Sequence, residues 1–243
     1  MKCVLCNAAC SKKQHEVFKC VECDHVYVNF KGNHLKYNKS EYRVNSFSPV
    51  YAYLHGTRNN LEIVEGNITE KFHDARDSMC NKRLSIVKSY CSNGKVLDIG
   101  SGGGTFALKL RNEGFDIDCQ EISDVCIKHL KQNNFNVYEG DFCSLDFDKT
   151  YNLVTCWHVL EHIKNLNSFV KKCETICSDL LILEVPIKRS IPNAEKNWDG
   201  HFHYFSKQSL RDLFSDSFTL INITEDGCQK PCLLAVFKKN EKH

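Results

Sequence analysis

The sequence predicts an α/β chain: a Rossmann-like, seven-stranded, mostly parallel sheet with helices on both faces, preceded by a small cysteine-rich module. Three observations predict it. Short apolar runs alternate with helix-length stretches from Lys95 to Lys238, and that alternation calls for right-handed crossovers and parallel pairing. The first run, Lys95 to Ile99, breaks into a loop with glycines at 100, 102 and 104, where the backbone can turn sharply and approach a ligand that a Cβ would strike. Five of the 15 cysteines fall within the first 23 residues, a clustering that points to a metal.

The cysteine module comes first in the chain. Cys3-x-x-Cys6, thirteen intervening residues and Cys20-x-x-Cys23 form two knuckles, and four thiolates so spaced can close a tetrahedral shell around zinc. Cys10 is then a spare thiol, with His15 and His25 as replacement ligands. Val26 to Phe30 reads as the last strand of a ribbon over residues 1–30. A segment this short cannot bury enough apolar surface to fold alone, so the metal supplies stabilisation. Residues 31–67 are polar, rich in Asn, Lys and Tyr, and read as a linker or lid. The α/β domain occupies 68–243, opening with a helix from Ile68 to Tyr90 whose apolar positions Phe72, Ala75, Met79, Leu84, Val87 and Tyr90 keep near-helical spacing, and Gly94 stops it.

Thr105 to Asn112 reads as the helix after the glycine loop, and Phe115 to Ile122 as the next strand. Phe135 to Phe142 is the third strand segment and Tyr151 to Trp157 the fourth. A helix over Leu166 to Cys177, a strand over Leu180 to Val185, a helix over Lys207 to Phe214 and strands over Phe218 to Asp226 and Cys232 to Lys238 complete the domain. The short connection from Gly227 to Pro231 makes the last two strands antiparallel. Cys80, Cys91, Cys119, Cys126, Cys143, Cys156, Cys173 and Cys177 show no second ligand spacing and pack as small hydrophobes.

A length of 243 residues and a hydrophobic fraction of 42% suit one catalytic domain plus an attachment. A net charge of +2 gives no extended surface for nucleic acid or an anionic membrane. The longest apolar runs are strand-sized and the N-terminus lacks a signal-peptide layout, so no membrane is involved and the cytoplasm is the expected compartment. Nothing in the sequence sets the oligomeric state.

Four marks in order carry the chemistry. Asp98 ends the first strand before Gly100, Gly102 and Gly104, and Thr105 stands where a dinucleotide fingerprint needs glycine. Glu121 closes the next strand, twenty-one positions after Gly100, where a carboxylate can accept from both ribose hydroxyls. The third segment ends in Gly140-Asp141-Phe142, and the fourth strand runs into Trp157-His158-Val159-Leu160-Glu161-His162. His158 and His162 are four apart and share a face if this stretch is helical. Together these resemble the class I S-adenosylmethionine-dependent methyltransferases, in their ubiquinone-methyltransferase-like branch. The resemblance implies that Asp98 contacts the amino end of the cofactor or supports the loop, and that Gly100, Ser101, Gly102 and Gly104 cover the methionine part. It also implies that Glu121 holds the ribose and that Asp141 with Phe142 holds the adenine. Trp157 and His158 line the sulfonium side, where an aromatic face or lone pairs favour positive charge.

A cysteine ribbon ahead of such a domain is similar to sugar methyltransferases, whose active-site histidine lies in a Glu-His-x-x-Tyr-Phe-Ser segment. His201 matches that histidine in His201-Phe202-His203-Tyr204-Phe205-Ser206; Gly200 replaces the glutamate, with Asp199 as its nearest substitute. The resemblance implies methyl transfer to a small-molecule acceptor, a sugar, nucleotide-sugar or polysaccharide precursor. His201 first and His162 second are the candidate general bases, since imidazole titrates near neutral pH. Two other readings stand: an rRNA base methyltransferase whose ribbon contacts RNA, and a non-catalytic cofactor-binding or partner-docking module.

Overall fold

The computed structural model describes residues 2–13, 16–29, 67–187, 200–228 and 231–241, without the side chains of 67–76 and 125. His15, Asp199 and nearly all of the expected linker or lid lie outside the described residues.

An antiparallel ribbon comprises β1 (Cys10–Lys12), β2 (Val17–Cys20) and β3 (Val26–Val28). Helix α1 (Asn67–Tyr90) leads into β4 (Lys95–Ile99), α2 (Thr105–Asn112), β5 (Asp116–Glu121), α3 (Asp124–Gln132) and β6 (Asn136–Glu139). There follow β7 (Tyr151–Trp157), a 3-10 turn (Leu160–His162), α4 (Leu166–Ile176), β8 (Cys177–Pro186), β9 (His203–Tyr204), α5 (Lys207–Phe214), β10 (Phe218–Thr224) and β11 (Cys232–Lys239). β4 to β8 with β10 and β11 make a seven-stranded, mostly parallel sheet, as the alternation of patterns predicts. The chain divides into two compact units, one ending at Asp146 and the other combining the N-terminal cysteine segment with everything from Phe147 onward.

In the unit ending at Asp146, β5 pairs in parallel with β4 on one side and β6 on the other. β4 is buried from Val96 to Ile99, as a strand covered on both faces must be. α2 turns Phe106, Ala107 and Leu110 into the core. The sequence reading placed no helix between β5 and β6; α3 is there, with Ser123 at its N-cap position and Asp124 in its first turn, and it supplies the crossover that parallel strands require. Gly104 opens α2 at φ 76, and a Cβ on it would lie 2.6 Å from Leu130 Cδ2. Gly104→Ala is therefore expected to cost roughly 1–2 kcal/mol of stability, read as a lower urea midpoint at constant slope. An unchanged midpoint would mean that Leu130 and the backbone relax freely.

In the other unit, β8 lies parallel to β7 and antiparallel to β11, and β11 takes β10 as its antiparallel neighbour. Leu180 to Val185 and Cys232 to Phe237 are buried without a break, the near-continuous apolar pattern of central strands. α4 and α5 add Phe169, Cys173, Leu210 and Phe214, and Phe214 packs at 5.0 Å from Phe237. Cys119, Cys126, Cys156, Cys173 and Cys177 are core as expected, while Cys91 and Cys143 are half-buried. β9, which has no periodicity in the sequence to predict it, joins the ribbon as its fourth strand, with Val26 opposite Tyr204 and Tyr27 opposite His203. No helix among the described residues is long and apolar enough to cross a membrane.

Candidate active site

The glycine loop and the end of β5 form one hydrogen-bonded cradle. Glu121 is 1% exposed, and its Oε2 accepts from Gly102 N at 2.8 Å while Oε1 accepts from Ile122 N at 2.8 Å and Ser123 N at 3.0 Å. Three backbone donors thus stabilise a buried carboxylate at the carboxyl end of a parallel strand. Gly102 bends through φ 57, which presents its N–H to the acid. Ser101 Oγ donates to the carbonyl of buried Asp98 at 2.7 Å. Gln120, which the sequence reading passed over, is the second clamp: its Oε1 accepts from Gly100 N at 3.1 Å and its Nε2 donates to Gly140 O at 2.6 Å. Its only sequence signal is its place beside Glu121.

Asp98, Gly100, Ser101, Gly102, Gly104 and Glu121 are thereby brought together. Asp141 is exposed and caps its own turn, its two oxygens accepting from Cys143 N and Ser144 Oγ at 3.2 Å each. Phe142, next to it, is buried at 2% exposure. The cradle fits a nucleoside cofactor: a buried acid for hydroxyl donors, and a loop bent through conformations that a side chain would strain.

The second unit gathers its histidines around one acid. Glu161, buried, and the rings of His162 and His201 each place a ligand atom within 4.8 Å of the others. The His162 and His201 rings meet edge to face at 4.7 Å, and Tyr204 lies 5.6 Å from His201. Gly200 O lies 2.9 Å from His162 Nδ1, so that nitrogen donates and Nε2 is left as the basic one. Gly200 sits at φ 85, a conformation that explains glycine where the resemblance expects glutamate. The carboxylate nearest the pair is Glu161, within 4.8 Å of both rings but not hydrogen-bonded to either. Burial raises the Glu161 pKa, yet the contact with His158 and the fields of His162, His158 and His201 outweigh it and hold the carboxyl below its ordinary range.

His158 sits between two buried acids. Its Nε2 lies 2.9 Å from Glu184 Oε1 and its Nδ1 3.5 Å from Glu161 Oε1, with Cys232 Sγ at 3.6 Å. Burial lowers its pKa, but Cys232, Glu161 and Glu184 together push it up to about 11. That shift favours the protonated ring, in which neither nitrogen keeps a lone pair. Nor do His158 and His162 share a helical face: His158 stands at φ 58, outside the three-residue 3-10 turn. Trp157 is buried at the last position of β7.

The cysteine knuckles close as their spacing predicts. Sγ atoms of Cys3 and Cys23 lie 3.7 Å apart, those of Cys6 and Cys20 3.5 Å, and those of Cys6 and Cys23 3.6 Å. A tetrahedron with Zn–S bonds of about 2.3 Å has S···S edges of about 3.8 Å, so the four thiols fit zinc. Cys10 is not one of the four grouped sulfurs but packs against them as a half-buried thiol, its pKa pushed up to about 11 by burial and by Cys3 and Cys20. His25 is buried against His203, its Nε2 3.1 Å from His203 Nδ1, outside the four-sulfur group.

The family described as "Methyltransferase domain" matches residues 72–217 of the chain. Among curated relatives, ubiquinone biosynthesis O-methyltransferase of Rickettsia bellii is 32% identical over 99 residues, covering 37% of this chain and 41% of its own. The chain thus spans less than half the length of such a relative. Of solved structures, the PH0226 protein of Pyrococcus horikoshii OT3 superposes with TM-score 0.59 at 19% identity over 83% of this chain and 99% of its own. Magnesium protoporphyrin IX methyltransferase of Synechocystis PCC 6803, solved with bound SAM, does so with TM-score 0.61 at 12% identity over 87% and 99%. At these identities the likeness to the two structures is one of fold.

Proposed function

Because this chain belongs to the methyltransferase domain family, we propose that it transfers the methyl group of S-adenosylmethionine to a small-molecule acceptor. The observation that carries the reading is the Glu121 carboxylate, buried and tied by Gly102 to a glycine loop at the end of a parallel strand. When bound, the cofactor supplies a methyl group already activated as a sulfonium. Positioning the acceptor and removing its proton are left to the chain.

Glu121 would hold the ribose and Gly100 to Gly104 the methionine part, with Asp141 and Phe142 toward the adenine. His201 is the first candidate base and His162 the second; the ionised Glu161 beside both favours the imidazolium that proton removal creates. A sugar, nucleotide-sugar or polysaccharide precursor is the acceptor class, supported by the likeness of residues 201–206 and of the cysteine ribbon to sugar enzymes. The net charge of +2 lends no support to an RNA substrate. Cys3, Cys6, Cys20 and Cys23 would hold zinc, which takes reduced thiols and so supports a reducing compartment such as the cytoplasm.

Calorimetry of the full chain with S-adenosylmethionine tests the reading, and absence of binding at millimolar cofactor overturns it in favour of a partner-docking module. With a panel of nucleotide sugars as acceptors and S-adenosylhomocysteine release as readout, His201→Ala is expected to leave cofactor affinity intact while cutting turnover about a hundredfold or more. Full turnover in that variant removes His201 from the chemistry.

A further inference from the structure

Residues 200–206, which carry His201, are held between two sets of partners within one unit. On one side Phe202 N donates to Glu161 O at 2.8 Å, Gly200 O receives His162 Nδ1 at 2.9 Å, and the His201 ring meets His162. On the other side the partner is the cysteine ribbon. β9 pairs with β3, Val28 N donates to Phe202 O at 2.8 Å, and Tyr204 packs into one cluster with Val17 and Val28. Ser206 Oγ donates to the carbonyl of Cys23 at 2.6 Å, a direct tie to a knuckle of the four-sulfur group.

A strand of two residues has no stability of its own, so the shape of this segment is set by what flanks it. The ribbon in turn is too small to hold its shape without metal. Resting on the methyl-transfer reading above, we propose that the cysteine ribbon is a brace for the segment bearing His201, and that Ser206 is the positioning residue tying the Cys20–Cys23 knuckle to it. The ribbon then serves the acceptor-side histidines from within the same unit, and needs no external partner to have a function.

Ser206 also caps α5, accepting from Ser209 N at 3.0 Å, and the test must separate the two roles. Ser206→Asp keeps a side-chain oxygen for the cap but sets a carboxylate against the Cys23 carbonyl, whereas Ser206→Thr keeps both bonds. The full-length, zinc-loaded chain is labelled with 13C at histidine Cε1, and the His201 and His162 signals are assigned with the alanine variants. Stripping zinc with EDTA is expected to move both signals while calorimetry gives an affinity for S-adenosylmethionine within about twofold of the loaded chain. Ser206→Asp is expected to displace the His201 signal with zinc still bound and to release zinc to the chelator about fivefold faster; Ser206→Thr behaves as the parent.

Signals of His201 and His162 that stay in place after zinc removal overturn the brace, as does a purified chain that holds no zinc. A Ser206→Asp chain with parental signals and parental zinc release overturns the role of Ser206. Failure of S-adenosylmethionine to bind the untreated chain overturns the methyl-transfer reading, and the histidine signals still decide whether the ribbon braces the segment.

Discussion

His158→Gln is expected to destabilise the fold by about 3–5 kcal/mol, the cost of removing the protonated ring that lies between two buried acids. Glu184 is fully buried and Glu161 nearly so, and in the parent His158 lies between them. Glutamine can still donate one hydrogen bond to Glu184, but it brings no charge. Two buried carboxylates then lose the ring between them: Glu184 keeps the Cys228 N–H and Glu161 keeps His162 and His201 nearby, but neither gains a replacement for the lost charge. Urea unfolding at pH 7 measures the loss, and a change below about 1 kcal/mol would show that the parent does not depend on a charged His158 between the two acids.

The same residue sets a pH dependence whose sign follows from the direction of its shift. The pKa of His158 rises from 6.5 to about 11 on folding. Below 6.5 both states are protonated and its stabilisation is complete. Between 6.5 and 11 the folded chain binds the extra proton, so stability falls as pH rises through that window. His203 acts from the other side: burial lowers its pKa to about 4, so stability falls as pH drops from 6.5 toward 4. Other groups titrate at both extremes, and the comparison of parent with His158→Gln isolates the alkaline arm. In the variant that arm is expected to flatten.

Local signals were enough for the scaffold. The expected bounds of α2 and α5 coincide with those observed because each helix has a local boundary signal, Gly104 before one and Ser206 with its capping box before the other. The central strands declared themselves as unbroken apolar runs. The site was legible only in part, since much of it depends on contacts between residues far apart in sequence. Gln120 looks like one more polar residue in a strand until Gly100 and Gly140 are seen on either side of it. Glu161 sits inside a recognised motif, but its role beside His201 depends on the return of the chain at Gly200. The spacing of His158 and His162 would put them on one face only in a helix; the chain takes a left-handed residue at His158 instead, and its ring meets Glu184. β9 has two residues and no periodicity to read; only the edge of the ribbon makes it a strand.

Glu121→Gln is expected to weaken S-adenosylmethionine binding by 10- to 100-fold or more while the chain stays folded, and the reason lies in the donors around the acid. In the parent both oxygens accept, one from Gly102 N and the other from Ile122 N and Ser123 N. The amide has one oxygen and one NH2. If its oxygen keeps Ile122 and Ser123, the NH2 faces the Gly102 N–H donor to donor, and the glycine loop loses its tie to β5. If the amide flips, two backbone donors lose theirs instead. Either way a buried N–H goes without its acceptor, worth about 1–3 kcal/mol, and that corresponds to roughly 5- to 150-fold in an equilibrium constant. Removing the negative charge also weakens the acceptor offered to ribose hydroxyls, since hydrogen bonds to a charged partner are about twice as strong as neutral ones. Calorimetry reads the affinity and circular dichroism the fold. An affinity within threefold of the parent would mean that the cofactor does not rest on Glu121, and the methyl-transfer reading would lose the observation that carries it.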